Sequence, residues 1–96
     1  MKAKRIDGNQ NEIVRDLRKM GCSVFITSMV GRGYPDLSVG FRNFNYLFEL
    51  KDGNKYKSQQ KLTELEQFFH LTWRGQANII TCLNDVIDIF NKNKII

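Results

Sequence analysis

Residues 45–51 read Asn45-Tyr46-Leu47-Phe48-Glu49-Leu50-Lys51, and the fold turns on this stretch. Aromatic and aliphatic residues dominate it, as in a buried strand. Side chains alternate along a strand, so Glu49 and Lys51 share one face while Phe48 and Leu50 share the other. A carboxylate and an ammonium at the end of an apolar strand are costly to desolvate unless they pair or bind an ion. Upstream, Asp36-Leu37-Ser38-Val39-Gly40-Phe41 also reads as a strand. Pro35 suits its first position, where the missing N–H does no harm. The Phe41–Asn45 segment between the two runs suits a hairpin loop. Antiparallel pairing across it brings Asp36 close to Glu49 and Lys51.

Two carboxylates, the backbone carbonyl of Leu50 and several waters would satisfy Mg²⁺, which prefers oxygen ligands in octahedral array. Such an ion polarises a phosphate and lowers the pKa of a bound water. Lys51 would then orient the nucleophile or offset charge on the phosphate. A bare Glu-x-Lys is more often an ordinary ion pair on a strand. The upstream Pro35-Asp36 and the apolar strand between favour chemistry.

Working outward, Ile13, Val14, Leu17 and Met20 form a helical stripe over 9–20, stopped by Gly21. Residues 22–29 read as the first strand. Gly31-Arg32-Gly33 follows as a loop whose glycines would let the backbone approach a phosphate. Asp52-Gly53-Asn54 is a turn signal. Thr63-Glu64-Leu65-Glu66 has the form of a capping box, and the helix it opens is expected to turn Leu65, Phe68, Phe69 and Trp73 toward the core. Gly75 ends that helix. Residues 77–83 read as the last strand, and Asn84-Asp85 starts a final helix with Val86, Ile87 and Phe90 inward and Asp85 and Asp88 on the wet side. This order gives one α/β domain over 1–96: an α-β-β-β-α-β core and a closing helix, with a central mixed sheet flanked by helices. The last strand–helix–strand unit implies a parallel pair. Residues 1–8 form a basic arm and 91–96 a short tail, whose Ile95 and Ile96 hint at a subunit contact.

Ninety-six residues leave room for one core, and 42% hydrophobic with 26% charged residues is a globular rather than a disordered composition. No apolar run reaches membrane-span length, and the basic first residues lead into no signal-peptide core, so a cytoplasmic location is expected. Cys22 and Cys82 lack metal-ligand spacing and read as buried or half-buried free thiols. The net charge of +5 favours a polyanionic partner. His70, the single histidine, and Trp73 read as structural first.

Taken together, Asn9-Gln10-Asn11-Glu12-Ile13-Val14, Gly31 to Leu37, Phe48 to Gly53, Lys61-Leu62-Thr63, Phe69-His70 and Trp73 resemble the PD-(D/E)XK nuclease superfamily. The likeness is to its small stand-alone VRR-NUC-type members of phages and bacteria, and it spans residues 7 to 90. The resemblance implies a restriction-endonuclease-like fold and Mg²⁺-dependent cleavage of DNA, with Mn²⁺ able to substitute. Branched or junction DNA is among the implied substrates, and a 5′-phosphate is the implied product. It implies Asp36, Glu49 and the Leu50 carbonyl as metal ligands, Lys51 as catalytic lysine, and Glu12 as a third acid. Gln10, Arg32, Lys55, Lys57 and Lys61 would hold DNA. Where many relatives carry a glutamine in the second helix, this chain has Glu66, which reads either as the helix cap or as an auxiliary active-site residue. A homodimer with two active sites is expected, because one small domain offers little DNA-binding surface. The rivals are a non-catalytic DNA-binding accessory module with this fold and a protein-interaction domain whose charge only solubilises it.

Overall fold

Arg42 and Asn43 both take positive φ, 49° and 70°, and close a hairpin with a two-residue turn of the I′ kind. The turn is tighter than the sequence suggests, so its strands run on to Phe41 and Phe44. The computed structural model describes residues 9–53 and 61–94. Its elements are α1 (Gln10–Lys19), β1 (Ser23–Ile26), β2 (Leu37–Phe41), β3 (Phe44–Leu50), α2 (Glu64–Thr72), β4 (Ala77–Ile80) and α3 (Leu83–Lys92). Lys2, Lys4, Arg5, Lys55, Lys57, Ile95 and Ile96 lie outside the described residues, so the basic arm, two of the expected DNA contacts and the expected subunit contact do too.

The four strands form one mixed sheet in the order β1-β2-β3-β4. β1 and β3 flank β2 antiparallel, and β4 joins β3 parallel, as the strand–helix–strand order implies. A parallel neighbour needs a crossover, which α2 provides. Leu37 pairs with Phe48, so Asp36, one residue outward, comes level with Glu49. The order of elements and the mixed sheet are therefore as expected from the sequence.

One face of the sheet carries Val24, Leu37, Val39, Phe41, Tyr46, Phe48, Leu50 and Ile80, all buried. Ile13, Val14 and Leu17 of α1 and Val86 and Phe90 of α3 complete this core. The Phe90 ring stacks on Phe41 with centroids 4.9 Å apart and tilts against Tyr46 at 5.3 Å. The opposite face carries Ser23, Phe25, Asn45, Leu47, Glu49 and Ile79, by strand alternation. Among the described residues α2 is the element over it, at the Glu49 end.

Four expectations change here. α2 does not turn its apolar residues inward: Leu65, Phe68 and Trp73 are exposed, Phe69 is half-buried, and Glu66 is the residue it buries. The apolar face of the sheet is already covered by α1 and α3, which leaves α2 the polar end of the other face. The helix also stops at Thr72, before Gly75. Asp85 is not on the wet side; its Oδ2 accepts from the Thr81 N–H at 2.7 Å and the Thr81 hydroxyl at 2.9 Å, tying β4 to the first turn of α3. Cys22 is the buried free thiol expected, which burial pushes up, while Cys82 is free but exposed, not buried or half-buried, at the start of α3. No helix among the described residues is long and apolar enough to cross a membrane.

Candidate active site

The site is built where β2 begins and β3 ends. Asp36 is anchored first: its carbonyl accepts the Thr27 N–H at 2.7 Å, and the Thr27 hydroxyl donates to the Pro35 carbonyl at 2.9 Å. Its carboxylate Oδ2 accepts the Leu50 N–H at 2.9 Å. On the far side of β3, the Lys51 N–H donates to the Ile80 carbonyl at 2.9 Å. Asn9 Nδ2 donates to the Thr81 carbonyl at 2.8 Å and, at 3.5 Å, to that of Lys51. The Leu50-Lys51 backbone is thus held by β2, β4 and the start of α1.

Glu49 and Lys51 point the same way, as alternation requires. Lys51 Nζ lies 3.7 Å from Glu49 Oε2 and 3.1 Å from Glu66 Oε1. The same Glu66 oxygen accepts the Thr63 N–H at 2.9 Å, while Thr63 Oγ1 accepts the Glu66 N–H at 3.2 Å. Glu66 is therefore both the cap of α2 and a member of the site. The cap expected from the sequence is present, and the same oxygen also accepts from Lys51 Nζ.

Burial alone would raise the Glu66 pKa, but the Thr63 N–H and the Lys51 ammonium outweigh it, and the carboxyl sits below its usual value. Glu49 is within hydrogen-bonding reach of Glu66. Asp36, Glu49 and Glu66 are 6%, 1% and 5% exposed, so two acids are held out of water around Lys51 and a third is buried against the Leu50 N–H. Such clustering favours a cation. Among the described residues no three His, Cys, Asp or Glu side chains are arranged to hold a metal together. Mg²⁺ does not require that, because it commonly binds through one or two carboxylates and keeps several waters. Asp36, Glu49 and the Leu50 carbonyl are donors of the right kind.

The first helix departs from expectation. Glu12 is on its outer side, 4.0 Å from Arg15 and 70% exposed at the side chain, beside Asn9, Asp16 and Asn84 in a shallow cavity of about 330 Å³. None of its recorded contacts is with Asp36, Glu49 or Lys51. The inward residue is Gln10, 2% exposed, whose Oε1 accepts from Ser28 Oγ at 3.0 Å. Ser28 follows Thr27, so Gln10 braces the Asp36 anchor and is not on the DNA-accessible surface. The buried stripe Gln10, Ile13, Val14, Leu17 was open to reading from spacing alone, had a polar residue been allowed on it. Arg32 and Lys61 are exposed at the surface. Gly33 approaches the backbone of α2, so the close approach its φ of +80° permits is to a helix and not to a phosphate.

His70, one turn after Glu66, is half-buried, and its Nε2 has no hydrogen-bond partner among the described residues. Burial pushes the imidazole below 6.5; Glu66 raises it and Lys51 lowers it by smaller amounts. A depressed histidine pKa means that the fold favours the neutral ring. Its contribution to stability is present above 6.5 and lost as pH falls toward the lowered folded value. Glu66, depressed from 4.5, acts in the same direction over a more acidic window. Stability should therefore begin to fall below about pH 6.5 and fall further below about pH 4.5. Thermal melts across this range check it: His70→Gln should flatten the upper segment and leave the lower one, and an unchanged upper segment would refute the assignment to His70.

No family model matches the chain, and neither a curated protein nor a solved structure is similar to it at a significant level. The functional reading therefore rests on the residues and their geometry.

Proposed function

We propose that this protein is a Mg²⁺-dependent endodeoxyribonuclease with a restriction-endonuclease-like fold of the PD-(D/E)XK kind. The observation that carries the proposal is buried Glu49 with Lys51 Nζ 3.7 Å away at the end of β3, with buried Asp36 level with Glu49 in the register of β2 and β3. Asp36, Glu49 and the Leu50 carbonyl would hold the ion. When bound, it would supply Lewis-acid polarisation of the phosphate and a water of lowered pKa. The rest is the work of the chain. Glu66 fixes the Lys51 side chain, whose ammonium would offset the negative charge that grows on the phosphate. The Leu50 N–H holds one Asp36 oxygen in position. Arg32 and Lys61, with the net charge of +5, favour the DNA backbone in a salt-dependent way. Attack in line by water would leave a 5′-phosphate.

The test is incubation of the purified protein with supercoiled plasmid and with branched junctions, with and without Mg²⁺ or Mn²⁺. Metal-dependent nicking or resolution is expected, and Glu49→Ala should abolish it. No cleavage of any substrate, or cleavage that survives Glu49→Ala, sinks the proposal. Salt-dependent DNA binding without cleavage would turn the reading to a non-catalytic DNA-binding module.

A further inference from the structure

Tyr34, Phe69 and Trp73 form an aromatic group where the end of α2 meets the loop before β2. Phe69 stacks on Trp73 with centroids 4.9 Å apart and planes 18° from parallel. Tyr34 meets both edge-on, 5.4 Å from Phe69 and 6.4 Å from Trp73. A ring so close to Phe69 cannot lie beyond the far face of the indole, so both partners are on one side of it. At the rim, a Cβ on Gly75 would come 2.9 Å from the indole Nε1. The Trp73 N–H donates to the Phe69 carbonyl at 2.8 Å. The indole is thus fixed in place, yet it is 45% exposed, and that exposure falls on the face away from Phe69 and on the rim. A ring held in this way has little freedom left to lose when a flat partner stacks on its bare face.

Charge and position select that partner. The two segments that build the group, residues 28–35 and 67–77, contain two arginines and no carboxylate. Both arginines, Arg32 and Arg74, are exposed, and Arg74 directly follows Trp73. An aromatic face with cations beside it fits a nucleotide: the base stacks, and a guanidinium meets the phosphate. A base inside a duplex has both faces covered by its neighbours, so only an unpaired base reaches the indole without the cost of unstacking. The group also adjoins the site. Tyr34 is two residues before Asp36, and Phe69 is one turn after Glu66, whose Oε1 lies 3.1 Å from Lys51 Nζ. From Glu66 to Trp73 the chain rises roughly 10 Å along α2, about three steps of a stacked strand.

We infer that Trp73, backed by Phe69 and Tyr34 and flanked by Arg74, is a stacking platform for an unpaired base of a DNA strand whose backbone runs on to the acids and Lys51. The choice of DNA rests on the nuclease reading. The platform narrows that reading to substrates with a single-stranded stretch beside the cut.

Trp73 is the one tryptophan of the chain, so its emission reports on the platform. The full chain is titrated in EDTA, where metal-dependent cleavage cannot occur, with a short oligothymidylate and separately with a blunt duplex of the same length. The single strand should quench Trp73 and the duplex should leave its emission nearly unchanged. In anisotropy titrations of labelled oligothymidylate, Trp73→Leu should weaken binding by roughly 5- to 150-fold, and Trp73→Phe, which keeps a stacking face, should recover most of the loss. Phe44→Leu, at the far end of β3 where Phe44 is 43% exposed, should bind as the parent does. If Trp73→Leu fails to fold, quenching of the parent decides, since it needs no variant. An emission unmoved by the single strand, equal quenching by the duplex, or parent-like binding by a folded Trp73→Leu overturns the proposal. Plasmid cleavage without quenching removes the platform and leaves the nuclease reading standing; quenching in EDTA without cleavage in Mg²⁺ does the reverse.

Discussion

Glu49→Gln is expected to abolish cleavage while leaving the fold as stable as the parent or slightly more so, whereas Lys51→Met should lose both activity and stability. The contrast follows from which side of the charge balance each substitution touches. Lys51 Nζ lies between Glu66 and Glu49, and the three side chains are 12%, 6% and 2% exposed. Removing the ammonium leaves two buried carboxylates facing each other without it. Breaking a buried pair in this way costs about 3–5 kcal/mol. For a domain of this size that lowers Tm by roughly 12 °C or more. Glu49→Gln keeps the shape and removes one negative charge from beside Glu66, and the new amide can donate to the Glu66 carboxylate. Relief of this kind is worth about 1 kcal/mol at most. Cleavage should nevertheless fall by at least about 10²-fold, the scale of losing one preorganised charged group. Thermal melts and plasmid nicking on both variants check it. Parent-like nicking by Glu49→Gln would make that acid structural, and a parent-like Tm for Lys51→Met would remove the ammonium from its place as counter-charge.

The placement of Asp36, Glu49 and Lys51 was legible because it depends on local rules: alternation put Glu49 and Lys51 on one face, and a short hairpin set Asp36 level with Glu49. The Thr63–Glu66 capping box was legible for the same reason, being a four-residue pattern with its own hydrogen bonds. What stayed hidden depends on how elements meet. The periodicity of Leu65, Phe68 and Leu71 announces a stripe but not whether anything covers it, and α1 and α3 had already filled the apolar face. Glu12 reads as a third acid only through the resemblance, whereas spacing puts Gln10, and not Glu12, in register with Ile13, Val14 and Leu17. Glu66 looked like a choice between cap and site because nothing in a sequence says that one oxygen can serve both Thr63 and Lys51. Asp85 reads as solvent-facing from the helix pattern since its partner, Thr81, lies just after β4 and not on its helix.

The joint between loop and helix yields the other large effect: Gly33→Ala should unseat α2 and take the site with it, while Gly31→Ala should do neither. Both glycines have positive φ, +80° and +82°, so both substitutions carry the left-handed backbone cost of about 1–2 kcal/mol. Only at Gly33 does a Cβ meet something, running into the Leu65 carbonyl and coming 2.8 Å from the Glu66 nitrogen; at Gly31 there is nothing within 4 Å. The obstruction is backbone in the first turn of α2, so no side chain can swing aside. Overpacking of this sort adds about 1–3 kcal/mol. The strain is relieved by moving α2 away from the loop, and that motion draws Glu66 Oε1 off Lys51 Nζ, since one rigid turn carries both the collision and the carboxylate. Gly33→Ala should thus lower Tm by roughly 8–20 °C and cleavage along with it, against a few degrees and parent-like cleavage for Gly31→Ala. Melts and nicking assays on the two variants side by side make the comparison, and equal losses at both positions would mean that backbone conformation alone matters and that the seat of α2 does not.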